Sequence, residues 1–458
     1  MRKAEGIMTY GIISILLIVF LIAGAILTKK CEPFLFGATI IGCVILYKAQ
    51  FLSEFVYLLE GVVSDQTYLI CVCGLFGSLI ALLQASKGSF GFSRIISKYC
   101  NSERKTLLAT FIMGILIFID DYLNVLSIGA CMKNVYDKNK LPRESLAYML
   151  DSTGAPVCAI VPFSSWAAFL AAIFYSQDSV AALGFGNGIE AYIHAIPYSI
   201  YPIIALIIVF LFSLGVMPKL GGMKSAYRRV AETGKVYNDG SRKLNQSDRD
   251  GYEEDGNIWY FIIPMGILIA VTIVTSDLVV AIVAAILVAM VLYVSTKAMS
   301  FLEFFETLVK GFADMFPIIT LIVAAVCFQQ MTEVLGFTDF MIKLTQPILT
   351  PQILPVITFI FVCLITFTTA NVWGMCAVAS PVLLSMGASL GANPILIMAA
   401  IISGSAFGGH ACFYSEVTVM SSQASGIENM DHALSQLPYV VIAGIVSIVG
   451  YLIMGFML

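Results

Sequence analysis

Apolar stretches of membrane-spanning length recur along most of the chain, near residues 10–28, 33–59, 67–86, 146–176, 190–216, 257–275, 277–296, 312–334, 394–420 and 436–457. A helix needs roughly 20 such residues to cross a hydrocarbon core. Two further stretches, 106–132 and 354–385, carry polar residues at their centres. Residues 217–256 form the long hydrophilic stretch, rich in Lys and Arg and poor in apolar residues. That composition predicts a cytoplasmic linker rather than a packed subdomain. The pattern predicts an all-α polytopic membrane protein: a first transmembrane half at 1–216, the linker at 217–256 and a second transmembrane half at 257–458.

The halves share landmarks in the same order. The segment 91–98 parallels 336–343, Asn124-Val125 parallels Asn371-Val372, and Pro142 ahead of Asp151-Ser152 parallels Pro394 ahead of Ser403-Gly404. Basic residues flank 106–132 on both sides: Lys87, Arg94, Lys98, Arg104 and Lys105 before it, Lys133, Lys138, Lys140 and Arg143 after it. A single crossing would leave one cluster outside, against the tendency of Lys and Arg to stay in the cytoplasm. A re-entrant hairpin keeps both inside. The stretch 354–385 has uncharged flanks, which suits a hairpin entering from the opposite side. Matching halves of opposite orientation make an inverted repeat, here with a re-entrant hairpin and a broken transmembrane helix in each half, an arrangement common in secondary transporters.

Composition narrows the class. Only 12% of residues are charged and 59% are hydrophobic, whereas soluble domains carry about 25% charged residues. The expected partner is therefore membrane lipid, with the chain multi-pass in the cell (inner) membrane. The formal net charge of −4 decides nothing, but the absence of a basic patch interleaved with aromatics argues against nucleic acid. The eleven cysteines are scattered, mostly in apolar runs and without C-x-x-C, and read as small hydrophobes. Arg2-Lys3 before an apolar run imitates a secretory signal, but the run from Tyr10 to Thr28 is long for one and reads as the first retained helix.

The few membrane charges carry the chemistry. Asp120 and Asp121 stand mid-hairpin beside Asn124, where each buried carboxylate costs about 2.5 kcal/mol or more unless paired, protonated or bound to a cation. The alternative is a pair that caps a helix. Successive residues point about 100° apart on a helix, so both would serve one site only at a break. Asp151, Ser152 and Thr153 precede Pro156 and Pro162, and each proline frees the carbonyl four residues earlier. Unwinding over Asp151–Pro156 would offer hard oxygen ligands for Na⁺; a simple kink would not. These six residues are the expected ion-binding set, with Na⁺ on Asp121, Asn124 and Ser152. Ser164, Ser165 and Trp166 follow the first broken helix, and Thr369, Asn371 and Trp373 sit at the second hairpin. Small residues over 403–409, including Ser403 and Ser405, mark either local unwinding or close helix packing. His410, Tyr414, Ser415 and Glu416 come next. These are the expected substrate-binding residues, Glu416 with the most weight because a carboxylate in an apolar span needs a partner or a proton.

The motifs around these residues resemble the NhaC-type sodium/proton antiporter family. Phe118 to Asn124 match its F-F-D-D-Y-x-N pattern except at Ile119, and Asp151 to Val157 reproduce D-S-T-x-A-P-V. Its later motif, roughly F-G-D-H-x-S-P-x-S-D-T-T, is matched at Phe407, Gly408, His410, Ser415 and Thr418. Asp431-His432 and Gln436-Leu437-Pro438-Tyr439 also look like the family's following segment. The resemblance implies two hairpins and two broken helices around a midplane site, often in a homodimer. Gly409, Cys412 and Phe413 depart from the pattern, losing an acidic group and gaining apolar bulk.

These readings lead to a secondary active transporter coupled to Na⁺ or H⁺. Its cargo is either a cation exchanged for protons or a small organic solute such as an amino acid or carboxylate. It needs no cofactor besides Na⁺ as coupling ion. An ion channel is the alternative. An enzyme is disfavoured, because H-E-x-x-H is absent and neither Asp120 nor Asp151 has a G-x-G-D context.

Overall fold

The computed structural model describes residues 2–28, 32–88, 91–92, 98–118, 120–162, 164–248, 256–275, 277–337, 340 and 350–458. Among these the secondary structure is helical, with no strand. Six described helices are long and apolar enough to cross a membrane, or eight if each of two bent pairs counts as one span. The chain is thus an all-α polytopic membrane protein. The parallel drawn between 91–98 and 336–343 lies largely outside the described residues.

The helices of the first half are α1 (Arg2–Thr28), α2 (Glu32–Tyr47), α3 (Phe51–Asp65), α4 (Thr67–Ala85), α5 (Glu103–Leu116), α6 (Asp121–Lys138), α7 (Arg143–Ile160), α8 (Ser165–Tyr175), α9 (Gly188–Ala195) and α10 (Ile200–Ser213). In the linker lies α11 (Gly221–Thr233). The second half holds α12 (Trp259–Thr275), α13 (Leu278–Ser295), α14 (Phe301–Asp314), α15 (Phe316–Val334), α16 (Leu354–Thr369), α17 (Val372–Leu390), α18 (Pro394–Ala411), α19 (Glu416–Ser425) and α20 (Asn429–Met457). The last helix shows why the chain lives in lipid. Tyr439, Ala443, Ser447 and Tyr451, four apart, are buried, while Ile445, Val449, Ile453 and Phe456 on the other side are exposed. Water would penalise that outer face; hydrocarbon does not.

Both polar-centred stretches are helical hairpins. Thr110 Oγ1 lies 3.0 Å from the Tyr136 hydroxyl, and the Asn139 amide donates to Thr106 Oγ1 at 2.8 Å. At the other end, the Asn124 amide donates to the Gly114 and Ile117 carbonyls, each at 2.7 Å. Residue numbers falling on α5 as they rise on α6 define antiparallel limbs. On the second hairpin, a Cβ at Gly387 would sit 3.4 Å from Leu354, so the limbs α16 and α17 also return side by side.

The broken helices break elsewhere than the sequence suggested. α7 is helical through Asp151–Pro156 and stops at Ile160; α8 leaves it at a bend of 42°. Pro156 is accommodated within the helix. The break falls at Val161–Ser164, where Val161 is extended, Pro162 lacks an amide hydrogen and Ser164 caps α8 by accepting from Ala167 N at 3.1 Å. Likewise 403–409 is not unwound: α18 runs to Ala411, and the break is Cys412–Ser415. Its glycines serve packing instead. A Cβ would lie 2.7 Å from Val362 at Gly404 and 2.3 Å from Thr366 at Gly408, so only glycine lets α18 lie this close to α16.

Residues 217–248 dock on the helices. α11 packs on α20 and buries Met223 and Ala226. Arg229 grips Glu144 through two bonds of 2.7 and 2.8 Å, and the Arg143 amide donates to Val236 O at 2.9 Å. Asn238 donates to Asp431 and Asn245 to the Gly426 carbonyl, each at 2.7 Å. The linker's polar side chains thus tie the α6–α7 corner of one half to the α19–α20 corner of the other.

Candidate functional site

Both hairpin tips and both broken helices contribute residues to one small cavity. The first hairpin brings Asp121 and Tyr122, the second Ala370, Val372 and Trp373. The first broken helix brings Ala155 and Trp166, the second Gly409 and Ser415–Val417. Helix ends leave backbone groups without intrahelical partners, and here those ends point at a common space.

The two adjacent aspartates divide the work. Asp120 is the N-cap of α6, accepting from Tyr122 N at 3.0 Å and Leu123 N at 3.1 Å. Asp121 is 2% exposed and lines the cavity; its Oδ2 accepts from the Trp166 indole at 3.1 Å. The Trp166 ring lies 5.3 Å from that of Trp373, which Phe169 meets edge-on at 5.0 Å. The indole donor therefore holds a first-half carboxylate beside a second-half aromatic wall. Across the cavity the Tyr122 hydroxyl donates to Glu416, at the first turn of α19. Two carboxylates, a phenol and two indoles make a site suited to a positive charge.

Asn124 lies one turn beyond Asp121. Its amide nitrogen also reaches Thr153 O at 3.4 Å, while its buried Oδ1 has no partner. Thr153 Oγ1 is turned back to Met149 O at 2.7 Å, and Ser152 Oγ meets His410 Nε2 at 3.0 Å. Ser152 is thus engaged with a different group from Asp121. Asp151 belongs to a fully buried cluster: its Oδ2 accepts from Thr418 Oγ1 at 2.9 Å, His432 Nε2 at 3.0 Å and Gln436 Nε2 at 2.8 Å.

The expected substrate residues also separate. Trp166, Trp373, Ser415 and Glu416 reach the cavity. Ser164 is a cap, and Ser165 opens α8 behind it. Thr369 and Asn371 line a neighbouring hollow of about 320 Å³ with Gln329 and Glu333, and Asn371 caps α17 through Gly374 N at 2.7 Å. In this role Asn371 corresponds to Asp120, not to Asn124 as their Asn-Val context suggested. Ser403 accepts from Tyr451 at 2.7 Å and Ser405 meets Cys376 Sγ at 2.9 Å, both helix-to-helix contacts, while Tyr414 in the break donates to Thr368 O of α16 at 2.6 Å. His410 is satisfied at both nitrogens, by Ser152 and by the Tyr201 hydroxyl at 2.8 Å.

Tyr122, His432 and Gln436 had no role in the sequence reading. A signal existed for two of them: His432 and Gln436, four apart, put polar groups on one face of α20. Among the described residues, no three His, Cys, Asp or Glu side chains form a cluster able to hold a metal ion.

A multi-pass helical protein whose broken helices meet at buried carboxylates is of the secondary-transporter class. The sequence matches the Na⁺/H⁺ antiporter family over residues 157–456, and the chain belongs to that family. It is accordingly a transporter. An uncharacterized protein of Haemophilus influenzae (strain ATCC 51907 / DSM 11121 / KW20 / Rd) is 25% identical over 94% of this chain and 88% of its own length. A solved structure described as "Structure and Function of Neisseria gonorrhoeae MtrF Illuminates a Class of Antimetabolite Efflux Pumps" is similar at a TM-score of 0.35 and 14% identity. That match covers 88% of this chain and 84% of the other.

Proposed function

We propose that the protein is a Na⁺- or H⁺-coupled carrier whose cargo binds as a positive charge between Asp121 and Glu416. The observation carrying this reading is the convergence of both hairpin tips and both helix breaks on the cavity that holds these carboxylates. Moving either hairpin against either broken helix would open the cavity and change both carboxylates' surroundings together, which is what alternating access requires. Na⁺ exchanged for protons is the first reading, supported by family membership. A second reading, a small organic solute bearing an ammonium group, is supported by the indoles of Trp166 and Trp373 beside the carboxylates. The inverted relation of the halves, the division at 217–256, the cell (inner) membrane location, the homodimer and the lack of a resident cofactor remain parts of this proposal.

Proteoliposome transport tests it. A sodium gradient that shifts internal pH with no organic solute present supports exchange. Flux that appears only with an amino acid or amine supports the second reading. Large single-channel currents would instead reveal a channel, and no gradient-driven flux under any condition would end the carrier proposal.

A further inference from the structure

The cargo cavity accepts hydrogen bonds and offers little to an anion. Among the described residues that line it there is no Lys, Arg or His. Three of its side-chain donors are spent inside the protein: the Trp166 indole on Asp121, the Tyr122 hydroxyl on Glu416 and the Ser415 hydroxyl on the Gly409 carbonyl. The helix N-termini around it are capped by Asp120, Ser164, Asn371 and Ser415. Asp121 and Glu416 stand first in α6 and α19, where they answer the positive ends of the helix dipoles. A carboxylate on the cargo would meet like charge here, in surroundings that screen it poorly.

Much of the remaining lining is hydrocarbon. Ala155, Ala370, Val372 and Val417 carry no polar side-chain atom, and Gly409 carries no side chain at all. Hard cations gather about six oxygens or more, whereas this space sets carbon beside its two carboxylates. Gly409 is the residue that leaves room. A Cβ there would lie 3.1 Å from Val372 Cγ2, so a side chain would fill the gap between α18 and the tip of the second hairpin. From this lining we infer that the cargo is a small alkylamine without a carboxylate, its ammonium held between Asp121 and Glu416 and its alkyl group seated against Gly409 and Val372.

An alkylamine matches each part of the site. Its ammonium donates to the carboxylate oxygens beside the indoles of Trp166 and Trp373, and its alkyl group covers apolar walls that water would otherwise wet. An amino acid shares both groups but adds a charge for which the site has no partner, and such a charge is costly to bury. Gly409 belongs to the second broken helix and Val372 to the second hairpin, so the size of the alkyl group is read where these two elements meet.

The inference rests on the carrier reading in its second form, and a binding assay separates the two: the carrier fails if gradient-driven flux is absent, whereas the cargo's chemistry is read from affinity alone. Isobutylamine and valine share an alkyl group and an ammonium and differ by the carboxylate. The melting temperature of the purified protein, followed against each at about pH 7, where an alkylamine is protonated like the Lys side chain, gives the half-saturating concentrations. Isobutylamine is expected to saturate at a concentration at least about tenfold below that of valine. Valine binding as tightly, or stabilisation by sodium chloride but not by isobutylamine, would overturn the inference and leave the carrier standing. Gly409→Ala is expected to weaken isobutylamine by about tenfold and methylamine by less than about threefold; an equal loss for both would overturn the alkyl seat. Should that variant not fold, Val372→Ala opens the same wall from the other side. It is expected to shift the preference from isobutylamine toward the bulkier neopentylamine, and an unchanged ratio would overturn the seat.

Discussion

Replacing Asp121 by Asn separates binding from folding. The shape is kept, and an amide oxygen can still accept from the Trp166 indole that now meets Asp121 Oδ2 at 3.1 Å. A hydrogen bond to a charged group contributes about 1.5–3 kcal/mol and a neutral one about 0.5–1.5, so the fold should lose only about 1 kcal/mol. Removing a carboxylate's self-burial cost offsets part of that. The cargo loses far more. A cation about 4 Å from a carboxylate gains about 4 kcal/mol at an effective dielectric of 20, and every 1.4 kcal/mol is tenfold in affinity, so binding should weaken by roughly three decades. The assay is sodium-driven pH change in proteoliposomes, with the sodium or ammonium-solute concentration for half-maximal rate as the readout. A thermal melt in detergent controls for folding. A half-maximal concentration within about threefold of wild type, in protein that melts normally, would show that Asp121 does not hold the cargo's charge.

Three further outcomes follow from the same geometry. Tyr122→Phe removes the hydroxyl that donates to Glu416; cargo affinity should change by about tenfold while the melt moves little, and an unchanged affinity would detach Glu416 from the site. Gly408→Val places side-chain atoms where a Cβ already lies 2.3 Å from Thr366; the expected cost is at least about 1–3 kcal/mol of stability, read as a lower melting temperature, with Gly391→Val at an exposed turn as the comparison for strain without crowding. Arg143→Met leaves Asp137 buried without the guanidinium that reaches it at 2.5 and 2.8 Å, so stability should fall by about 3–5 kcal/mol, and a melt matching wild type would refute that accounting.

Residues next to each other in the chain could be read directly. Asp120-Asp121 interrupting one apolar run and Thr369-Asn371 another marked two hairpin tips, because a helix cannot keep such groups in lipid without a reason to break. The positions of the other two breaks were not legible. Pro156 and the glycines of 403–409 disfavour helix locally, yet α7 and α18 pass through them; in α18, close packing of Gly404 and Gly408 against α16 offsets about 1 kcal/mol of lost propensity per glycine.

By itself, then, the sequence determined the solvent and the elements: too few charges for water, spans of the right length, and polar residues confined to a handful of places. Only the tertiary structure decided which of those residues share a site. It made Asp120 a cap and Asp121 a cavity carboxylate, joined Tyr122 to Glu416 across 294 positions, and set Asp151 against His432. The reason is physical. Hydropathy and propensity act through neighbours in the chain, whereas a charged site inside a membrane is assembled by helices whose side chains meet only after packing.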